Sequence, residues 1–492
     1  MAYRSAGDSS SFDVIRLAYS LLSYVRASSS LQETAGREPI RGMGSDSGTE
    51  SFRMNKPLIK SALSAFFEEQ KEDGLWDRGQ AIFKAFRKKG RNIGNAYVFA
   101  VDTLSSLLEI LPDEYFRPHL QELQNTLSWI ESNQQVEVVP YSLEEGTGRP
   151  LRGWASSHLN QSSGPVAWST AQTVRCISLL GRTIRQLMHN DVLNEFNGIA
   201  HSQRGPMPEA WDRLLDSDLG PRGKECKSIK CVLEDRVCTP FSSSLSNPSV
   251  GAAYSAILFG SPGTAKTTIS EAVAEKMGWD FVVIDTAAFL ADGLTNVASR
   301  IRYVFTRLQS LRKCVILFDE IEEFCLDREA PGLSMESRML TTAMLTAIND
   351  LRRTKQSVFF LATNRLRAFD AAIIRPGRFD IQLFVGTPNL EARTILFEQA
   401  ISEIAVSDEA KKKAINTYEE FLGSVWSEDG DAMFMNYLEG KQFAALAANI
   451  LASGGELEKP ELGMILEQQA AVMTCRGAVR DEYKAQMGLS RL

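Results

Sequence analysis

A short loop that ends in a lysine and two threonines is the first stretch of this chain whose residue types and spacing could do chemistry. It reads "FGSPGTAKTTIS" over residues 259–270. Where such a loop joins a strand to a helix, its backbone N–H groups and the helix N-terminus face a phosphate together. Lys266 would then contact the β- and γ-phosphates of a nucleotide, and the Thr267 hydroxyl would ligate magnesium.

Ala265 departs from the phosphate-loop pattern G-x-x-x-x-G-K-[ST], which places a glycine directly before the lysine. A left-handed backbone at this position would cost alanine about 1 kcal/mol. A helical backbone would instead suit alanine better than glycine. Because residue 265 lies where a helix starts, we expect the helical backbone and retained phosphate binding.

Two adjacent carboxylates follow the apolar run of "CVILFDEIEEF", which begins at Cys314. Consecutive side chains point to opposite faces inside a sheet, but both can turn towards the crevice at its carboxyl edge, where ligands of α/β proteins bind. Asp319 can hold magnesium there, and Glu320 can polarise the attacking water. Glu322 and Glu323 are explained as the exposed acidic start of a helix.

Apolar runs alternate with helical patterns on both sides of these residues, which predicts a parallel sheet covered by helices on both faces. The predicted strands are "AYSAILF" (253–259), "FVVID" (281–285), "CVILFDE" (314–320), "SVFFLATN" (357–364) and "IQLFVGT" (381–387). The fold class is therefore an α/β P-loop NTPase core over residues 249–388. A helical lid follows at residues 389–492.

The amino-terminal part is predicted to be an all-α domain over residues 1–190, because its apolar positions recur three and four apart. Proline, glycine and serine then concentrate in residues 191–248. This composition predicts a linker that is partly disordered.

Two helix ends in the amino-terminal domain look alike. "FFEEQKEDGLW" (66–76) fits Q-x-x-x-G-x-W at Gln70, Gly74 and Trp76, and "WIESNQ" (129–134) is followed after an insertion by Gly153 and Trp154. The pattern resembles the repeats of α/α-toroid proteins such as terpene cyclases, in which the glutamine caps helix ends and the tryptophan packs between repeats. No D-x-D-D acid motif accompanies it, so isoprenoid chemistry is disfavoured. We predict a recognition module with packing tryptophans.

Three segments in order, "ILFGSPGTAKTT", "VILFDEIEEF" and "FLATNRLRAFDAAIIRPGRFD", resemble the phosphate loop, acidic strand and second region of homology of AAA ATPases. The resemblance implies that Asn364 is a sensor contacting the γ-phosphate and the lytic water. It implies also that Arg375 and Arg378 are arginine fingers that serve a neighbouring subunit, since a guanidinium stabilises charge developing during phosphoryl transfer.

The predicted cofactors are ATP and Mg²⁺, with Thr267 and Asp319 as the metal ligands and Glu320, Asn364, Arg375 and Arg378 as the catalytic residues. The predicted nucleotide-binding residues are Gly260, Ser261, Pro262, Gly263, Thr264, Ala265, Lys266, Thr267, Thr268 and Asp319.

The chain departs from AAA proteins that thread polypeptides, which carry an aromatic residue in a pore loop. Phe289 and Leu290 lie near that place, yet counting back from Arg302 and Phe305 puts Gly293 in the aromatic position. A pore role and a core role both remain open for Phe289. The lid also lacks the family's S-G-A-D sequence, so no lid sensor residue is assigned.

Composition limits the classes of partner and the cellular location that we expect for this chain. The net charge is −7, which argues against nucleic acid because binders of it carry a basic excess. The longest apolar runs fall short of the roughly 20 residues of a membrane helix. Seven scattered cysteines and no recognisable secretory signal indicate a cytoplasmic protein with reduced thiols.

The leading hypothesis is a magnesium-dependent ATPase that forms a homo-oligomeric ring, expected to be hexameric, and remodels a protein substrate or adaptor held by its amino-terminal domain. The alternative is an ATP-gated scaffold or switch that recruits a partner without threading it. The missing aromatic of the pore loop supports the alternative.

Overall fold

The computed structural model describes most of the chain, in segments. They are residues 13–35, 55–77, 79, 83–88, 91–96, 98–140, 148–155, 164–203, 229–241, 251–366, 369–370, 373, 378–386, 388, 390–425 and 435–472. The chain divides into two compact units, Met1–Met188 and His189–Leu492.

Helices dominate the first unit. Its elements are α1 (Val14–Ala35), α2 (Lys56–Glu68), β1 (Phe83–Lys88), β2 (Arg91–Ala96), α3 (Ala100–Ile110), a 3-10 helix (Asp113–His119), α4 (Leu120–Ser132), β3 (Gln135–Pro140), β4 (Gly148–Gly153) and most of α5 (Ala167–Glu195). The strands pair as two antiparallel hairpins, β1 with β2 and β3 with β4. The prediction of a purely α-helical domain was therefore wrong in this respect, because strands with few consecutive apolar residues give only a weak period-2 signal.

The two motif tryptophans are buried and occupy matching places in the first unit. Trp76 Nε1 donates to the carbonyl of Phe66 near the end of α2 at 2.7 Å, and Trp154 Nε1 donates to the carbonyl of Ile130 near the end of α4 at 2.6 Å. Each indole thus donates to a carbonyl in the last turn of its helix, where the regular intrahelical bonds end.

The second unit holds a helix–sheet core and a helical lid. Its elements after α5 are α6 (Ile229–Leu233), a π-helical turn (Glu234–Cys238), α7 (Thr239–Phe241), β5 (Ser255–Phe259), α8 (Lys266–Met277), β6 (Asp280–Ile284), α9 (Thr286–Leu290), α10 (Val297–Leu308), β7 (Cys314–Asp319), α11 (Met335–Thr354), β8 (Val358–Thr363), β9 (Ile381–Phe384), α12 (Leu390–Ser402), α13 (Asp408–Val425), α14 (Tyr437–Ala452) and α15 (Lys459–Val472).

The five strands β5 to β9 form one parallel sheet in the order β6-β7-β8-β5-β9. The strands β5, β7 and β8 are apolar almost throughout and largely buried, as expected when helices cover both faces. This confirms the predicted α/β P-loop core. Strands β7, β8 and β5 are consecutive neighbours, so the loops after their carboxyl ends meet at one edge.

Part of the segment predicted as a linker has a regular structure and packs within the second unit. Ile199 and Phe281 exchange backbone hydrogen bonds of 2.8 and 3.0 Å beside β6. Farther along, the core on one face of the sheet contains the buried residues Ile229, Leu233 and Val237. Their spacing of four residues is a helical pattern that the surrounding prolines, glycines and serines obscured.

The lid has its own core, in which the Phe397 and Tyr418 rings stack with centroids 4.0 Å apart. Among the described residues, no helix is both long and apolar enough to cross a membrane.

Candidate nucleotide-binding site

Three neighbouring strands deliver the predicted site residues to one edge of the sheet. The phosphate loop follows β5, Asp319 ends β7, and Asn364 follows β8 between them. The structure therefore brings Lys266, Thr267, Asp319 and Asn364 together, as the polar ends of apolar strands predict.

The phosphate loop depends on glycine at two points. At Gly260 φ is 157°, and a Cβ would lie 2.1 Å from the carbonyl oxygen of Val385. At Gly263 φ is 76°. Thr264 closes the loop from inside, because its hydroxyl donates to the carbonyl of Ser261 at 2.9 Å. The remaining two predicted loop contacts, Pro262 and Thr268, are exposed.

Ala265 has a left-handed backbone, with φ 69° and ψ 28°, directly before α8. The expectation of a helical backbone was wrong. The chain has to change direction between the loop and the first residue of the helix, and that geometric need outweighs the side chain's preference. The Cβ strain of about 1 kcal/mol is consequently retained in the folded protein.

Lys266 is turned back onto its own loop. Its Nζ donates to the carbonyls of Gly260 at 3.0 Å and Ser261 at 2.9 Å, and to Oδ1 of Asn364 at 2.8 Å. Burial lowers the pKa of the Lys266 amine to about 8, and the nearby carboxylates, Asp319 foremost, oppose that shift. All three bonded acceptors are neutral, so an anionic phosphate would be a better partner for this amine.

The two predicted metal ligands lie in direct contact. The Thr267 hydroxyl donates to Oδ2 of Asp319 at 3.1 Å. Burial raises the pKa of the Asp319 carboxyl, and the bond from Thr267 and the charge of Lys266 partly offset that effect. A hydroxyl and a carboxylate are oxygen donors of the kind that Mg²⁺ prefers, so the pair fits the predicted metal.

Glu320 has a left-handed backbone, with φ 54°, and an exposed side chain. Its carbonyl accepts a hydrogen bond from the Thr286 hydroxyl of α9. Non-glycine residues with such strained backbones cluster at functional sites. Here the left-handed backbone interrupts the regular alternation of strand β7 directly after Asp319.

Glu322 was missed as a site residue, because its place in an acidic run indicated an exposed helix start. It is half-buried, and its Oε1 accepts from the Thr363 hydroxyl at 2.9 Å and from the Asn364 N–H at 3.2 Å. No local sequence signal reveals this contact, since it joins the ends of two different strands.

Only one of the two predicted arginine fingers is described. Arg375 lies outside the described residues. Arg378 is half-buried, and its carbonyl accepts from the Ser255 hydroxyl at 3.3 Å. Ser255 begins β5, so Arg378 lies at the end of that strand opposite its own phosphate loop. One of its guanidinium nitrogens is buried without a hydrogen-bond partner in the described part of the chain.

Phe289 belongs to the core. It is fully buried, with its ring centroid 5.4 Å from that of Phe324 and 6.3 Å from that of Phe305. The structure thus decides between the two roles left open by the sequence. The segment after Phe289 is exposed over residues 291–296, and Leu294 within it is 76% exposed.

Asn436 of the lid was also missed. It caps α14 in a capping box with Glu439, and its carboxamide packs against the phosphate loop: a Cβ on Gly263 would lie 3.1 Å from the Asn436 nitrogen. Asparagine followed three residues later by glutamate is a recognisable helix start in the sequence. Its contact with the loop was not predictable from that pattern.

Comparisons with known proteins agree with this geometry. Residues 256–387 match the family described as "ATPase family associated with various cellular activities (AAA)".

Three curated relatives are similar over part of their length. The ATP-dependent zinc metalloprotease FtsH 1 of Alkaliphilus metalliredigens is 38% identical over 30% of this chain and 27% of its own length. The Cell division cycle protein 48 homolog of Archaeoglobus fulgidus is 31% identical over 29% of this chain and 19% of its own. The Mitochondrial inner membrane m-AAA protease component AFG3L2 of Mus musculus is 26% identical over 69% and 40%, respectively.

The chain thus spans less than half the length of each of these relatives. The family match covers β5 to β9, the parallel-sheet core whose loops carry Lys266, Asp319 and Asn364. The family match and the arrangement of these residues identify residues 256–387 as an AAA ATPase domain.

Proposed function

We propose that this chain is a magnesium-dependent ATPase that hydrolyses ATP to ADP and phosphate. The observation that carries the proposal is the convergence of Lys266, Thr267, Asp319 and Asn364 on one edge of the sheet in an AAA domain. These residues supply a cation for phosphate, two oxygen ligands and a neutral polar group, which are the parts that phosphoryl transfer needs.

Each side chain has a role that follows from its chemistry. Lys266 exchanges its three neutral acceptors for the β- and γ-phosphates. Mg²⁺, held by the Thr267 hydroxyl and the Asp319 carboxylate, would neutralise charge developing on the phosphate oxygens. Glu320 polarises the attacking water, and Asn364, once released by Lys266, orients that water against the γ-phosphate.

The experiment that tests this function compares two neighbouring glutamates. We expect the purified chain to hydrolyse ATP with Mg²⁺ and to stop when EDTA removes the metal. Glu320→Gln should lose at least about 100-fold in kcat, the usual effect of removing a general base, while still binding ATP. Glu323→Gln is the matched control, because Glu323 is exposed nearby and should keep full turnover. Normal turnover in Glu320→Gln would refute the site.

We further propose a homo-oligomeric ring, taken as a hexamer, in which Arg375 and Arg378 serve the neighbouring subunit's nucleotide. In support, Arg378 lies at the end of β5 remote from its own loop. Arg378→Ala and Lys266→Ala chains should each be inactive, whereas their mixture should recover turnover at sites that combine one intact lysine with one intact arginine. A mixture that stays inactive, in rings shown by light scattering to be mixed, would exclude shared sites.

What the ring does to a partner is the second part of the proposal. Remodelling of a protein bound by the amino-terminal unit is the leading hypothesis. The burial of Phe289 and the glycine at position 293 favour the alternative, a scaffold that binds without threading. A protein that co-purifies with Glu320→Gln can be labelled and offered to the wild-type chain with ATP. Unfolding of the labelled protein supports remodelling, and retention of its fold supports the scaffold.

We propose also that the chain is located in the cytoplasm.

A further inference from the structure

We propose that Glu322 is a positioning residue that fixes the backbone of Asn364 and so holds the sensor side chain against the reacting phosphate. The inference rests on the ATPase function proposed above and assigns a part of its machinery. Glu322 lies two residues after Glu320, in a 3-10 turn over Glu322–Phe324 that follows β7.

The carboxylate of Glu322 joins the ends of two adjacent strands. Its Oε1 accepts from the Thr363 hydroxyl at 2.9 Å and from the Asn364 N–H at 3.2 Å. The Thr363 hydroxyl in turn accepts from the N–H of Arg365 at 2.9 Å. One carboxylate oxygen therefore organises the backbone on both sides of Asn364. Hydrogen bonds to a charged acceptor are roughly twice as strong as neutral ones, so this turn is held firmly.

The contact continues to the lysine of the phosphate loop. The Asn364 Oδ1 accepts from Lys266 Nζ at 2.8 Å. When Lys266 turns to a phosphate, the Asn364 side chain loses that bond, but its backbone stays bound to Glu322. The sensor then keeps its place at the moment when it has to orient water. Preorganised polar groups of this kind act chiefly on the chemical step.

A purely structural role for Glu322 makes a different prediction. If the carboxylate only stabilised the turn after β7, its loss would lower the melting temperature and weaken ATP binding along with turnover. A positioning role acts on kcat, because ATP is bound mainly by the loop and Lys266. The two roles are separated by measuring kcat, the Kd of ATP and thermal unfolding for the same variants.

The test uses the full chain with ATP and Mg²⁺. Glu322→Ala is expected to lower kcat by about 10-fold or more and to change the Kd of ATP by less than about 3-fold. Glu322→Gln keeps an acceptor oxygen of the same reach and should recover most of the lost rate. Thr363→Val removes one of the two donors and should lower kcat less than Glu322→Ala does. Combining Glu322→Ala with Thr363→Val should add little, because both act through one turn.

Glu323→Ala is the matched control and should behave as wild type, since Glu323 is exposed. The inference is overturned if Glu322→Ala keeps the wild-type kcat. It is overturned too if kcat, ATP affinity and melting temperature fall together and Glu322→Gln fails to restore them. A wild-type chain that shows no ATP turnover, by contrast, refutes the proposed function itself and this inference with it. Turnover that depends on Glu320 and ignores Glu322 refutes the inference alone.

Discussion

Gln70 in the first unit and Lys266 in the AAA domain have similar hydrogen-bond acceptors but different roles. Each terminal nitrogen lies within hydrogen-bonding distance of three neutral oxygens. For Gln70 these are the carbonyls of Gly74 and Glu122 and the hydroxyl of Thr126, at 2.8 to 3.0 Å. For Lys266 they are the carbonyls of Gly260 and Ser261 and the amide oxygen of Asn364.

The difference lies in charge. The amide of Gln70 is neutral, so neutral acceptors complete its bonding, and these bonds join the loop after α2 to α4. The amine of Lys266 is charged, and burial lowers its pKa from 10.5 to about 8. A lowered lysine pKa means that the folded protein disfavours the charged form. The contacts of Gln70 are therefore structural, whereas we propose that an anionic phosphate replaces those of Lys266 when nucleotide binds.

The strongest test of this contrast is Lys266→Met. Removing the cation should weaken ATP binding by at least about 100-fold, or roughly 3 kcal/mol. The ligand-free protein should nevertheless gain stability to urea, on the order of 1 kcal/mol at pH 7, because removing a buried charge outweighs the loss of its three hydrogen bonds to neutral acceptors. Calorimetric titration with ATP and urea unfolding measure the two effects.

The pH dependence of the unfolding free energy of Lys266→Met tests whether the buried charge of the amine causes the difference in stability. The destabilisation by the charged amine is fully present below the folded pKa of about 8 and disappears as pH rises towards the unfolded value of 10.5. The stability advantage of the variant should therefore shrink between those values. Lys276→Met, at the exposed end of the same helix, is the control and should show neither effect. A variant less stable than wild type at pH 7 would break the comparison.

The second prediction concerns Gln70→Ala, the corresponding change at the residue whose contacts are structural. Its loss removes three hydrogen bonds that join the loop after α2 to α4, so the first unit should lose about 2 kcal/mol of stability. ATP affinity should stay at the wild-type value. Hydrogen exchange localises the change, which should appear as faster exchange around residues 66–76. Gln121→Ala, on the exposed face of α4, should leave exchange unchanged. Weakened ATP binding in Gln70→Ala would show that its contacts are not structural alone.

Sequence reasoning reached the sheet and the places of Lys266 and Asp319 because both depend on local patterns, whereas Asn364 was assigned through the family resemblance. Buried parallel strands are continuous apolar runs, and a polar residue directly after such a run must lie at the carboxyl edge. The roles of these residues in hydrolysis remain predictions. The order β6-β7-β8-β5-β9, which makes the three loops neighbours, was not predicted from the sequence and is known only from the structure.

Apart from the left-handed backbone of Ala265 and the two hairpins of the first unit, which are local, the features that sequence reasoning missed depend on contacts between distant segments. Glu322 gains its role from the end of another strand, and Asn436 from a loop more than 170 residues earlier, at Gly263. The helical segment at residues 229–241 has an apolar spacing of four residues, but its packing against the sheet was not predictable from that spacing. Neither periodicity nor residue type records such contacts, because they form only when the segments fold together.

The smallest expected effect comes from Ala265→Gly, which compares how the two units handle a left-handed backbone. The first unit places glycine at such a point: Gly74 has φ 87°, and a Cβ there would lie 2.3 Å from the carbonyl oxygen of Asn125. The phosphate loop carries alanine at φ 69° instead. Removing that Cβ should stabilise the fold by about 1 kcal/mol, which raises the melting temperature by roughly 2 °C in a unit of this size.

The matched control for Ala265→Gly is the reverse change at Gly332, which has φ 87° and nothing within 4 Å of a Cβ. Gly332→Ala therefore introduces the same strain without a clash, and it should lower the melting temperature by a similar amount. If Ala265→Gly also lowers it, the alanine makes a favourable contact that exceeds its strain. If both changes shift stability as expected, the phosphate loop retains a strained alanine at position 265 where an unstrained glycine would fit. The first unit, by contrast, has a glycine at its left-handed position 74.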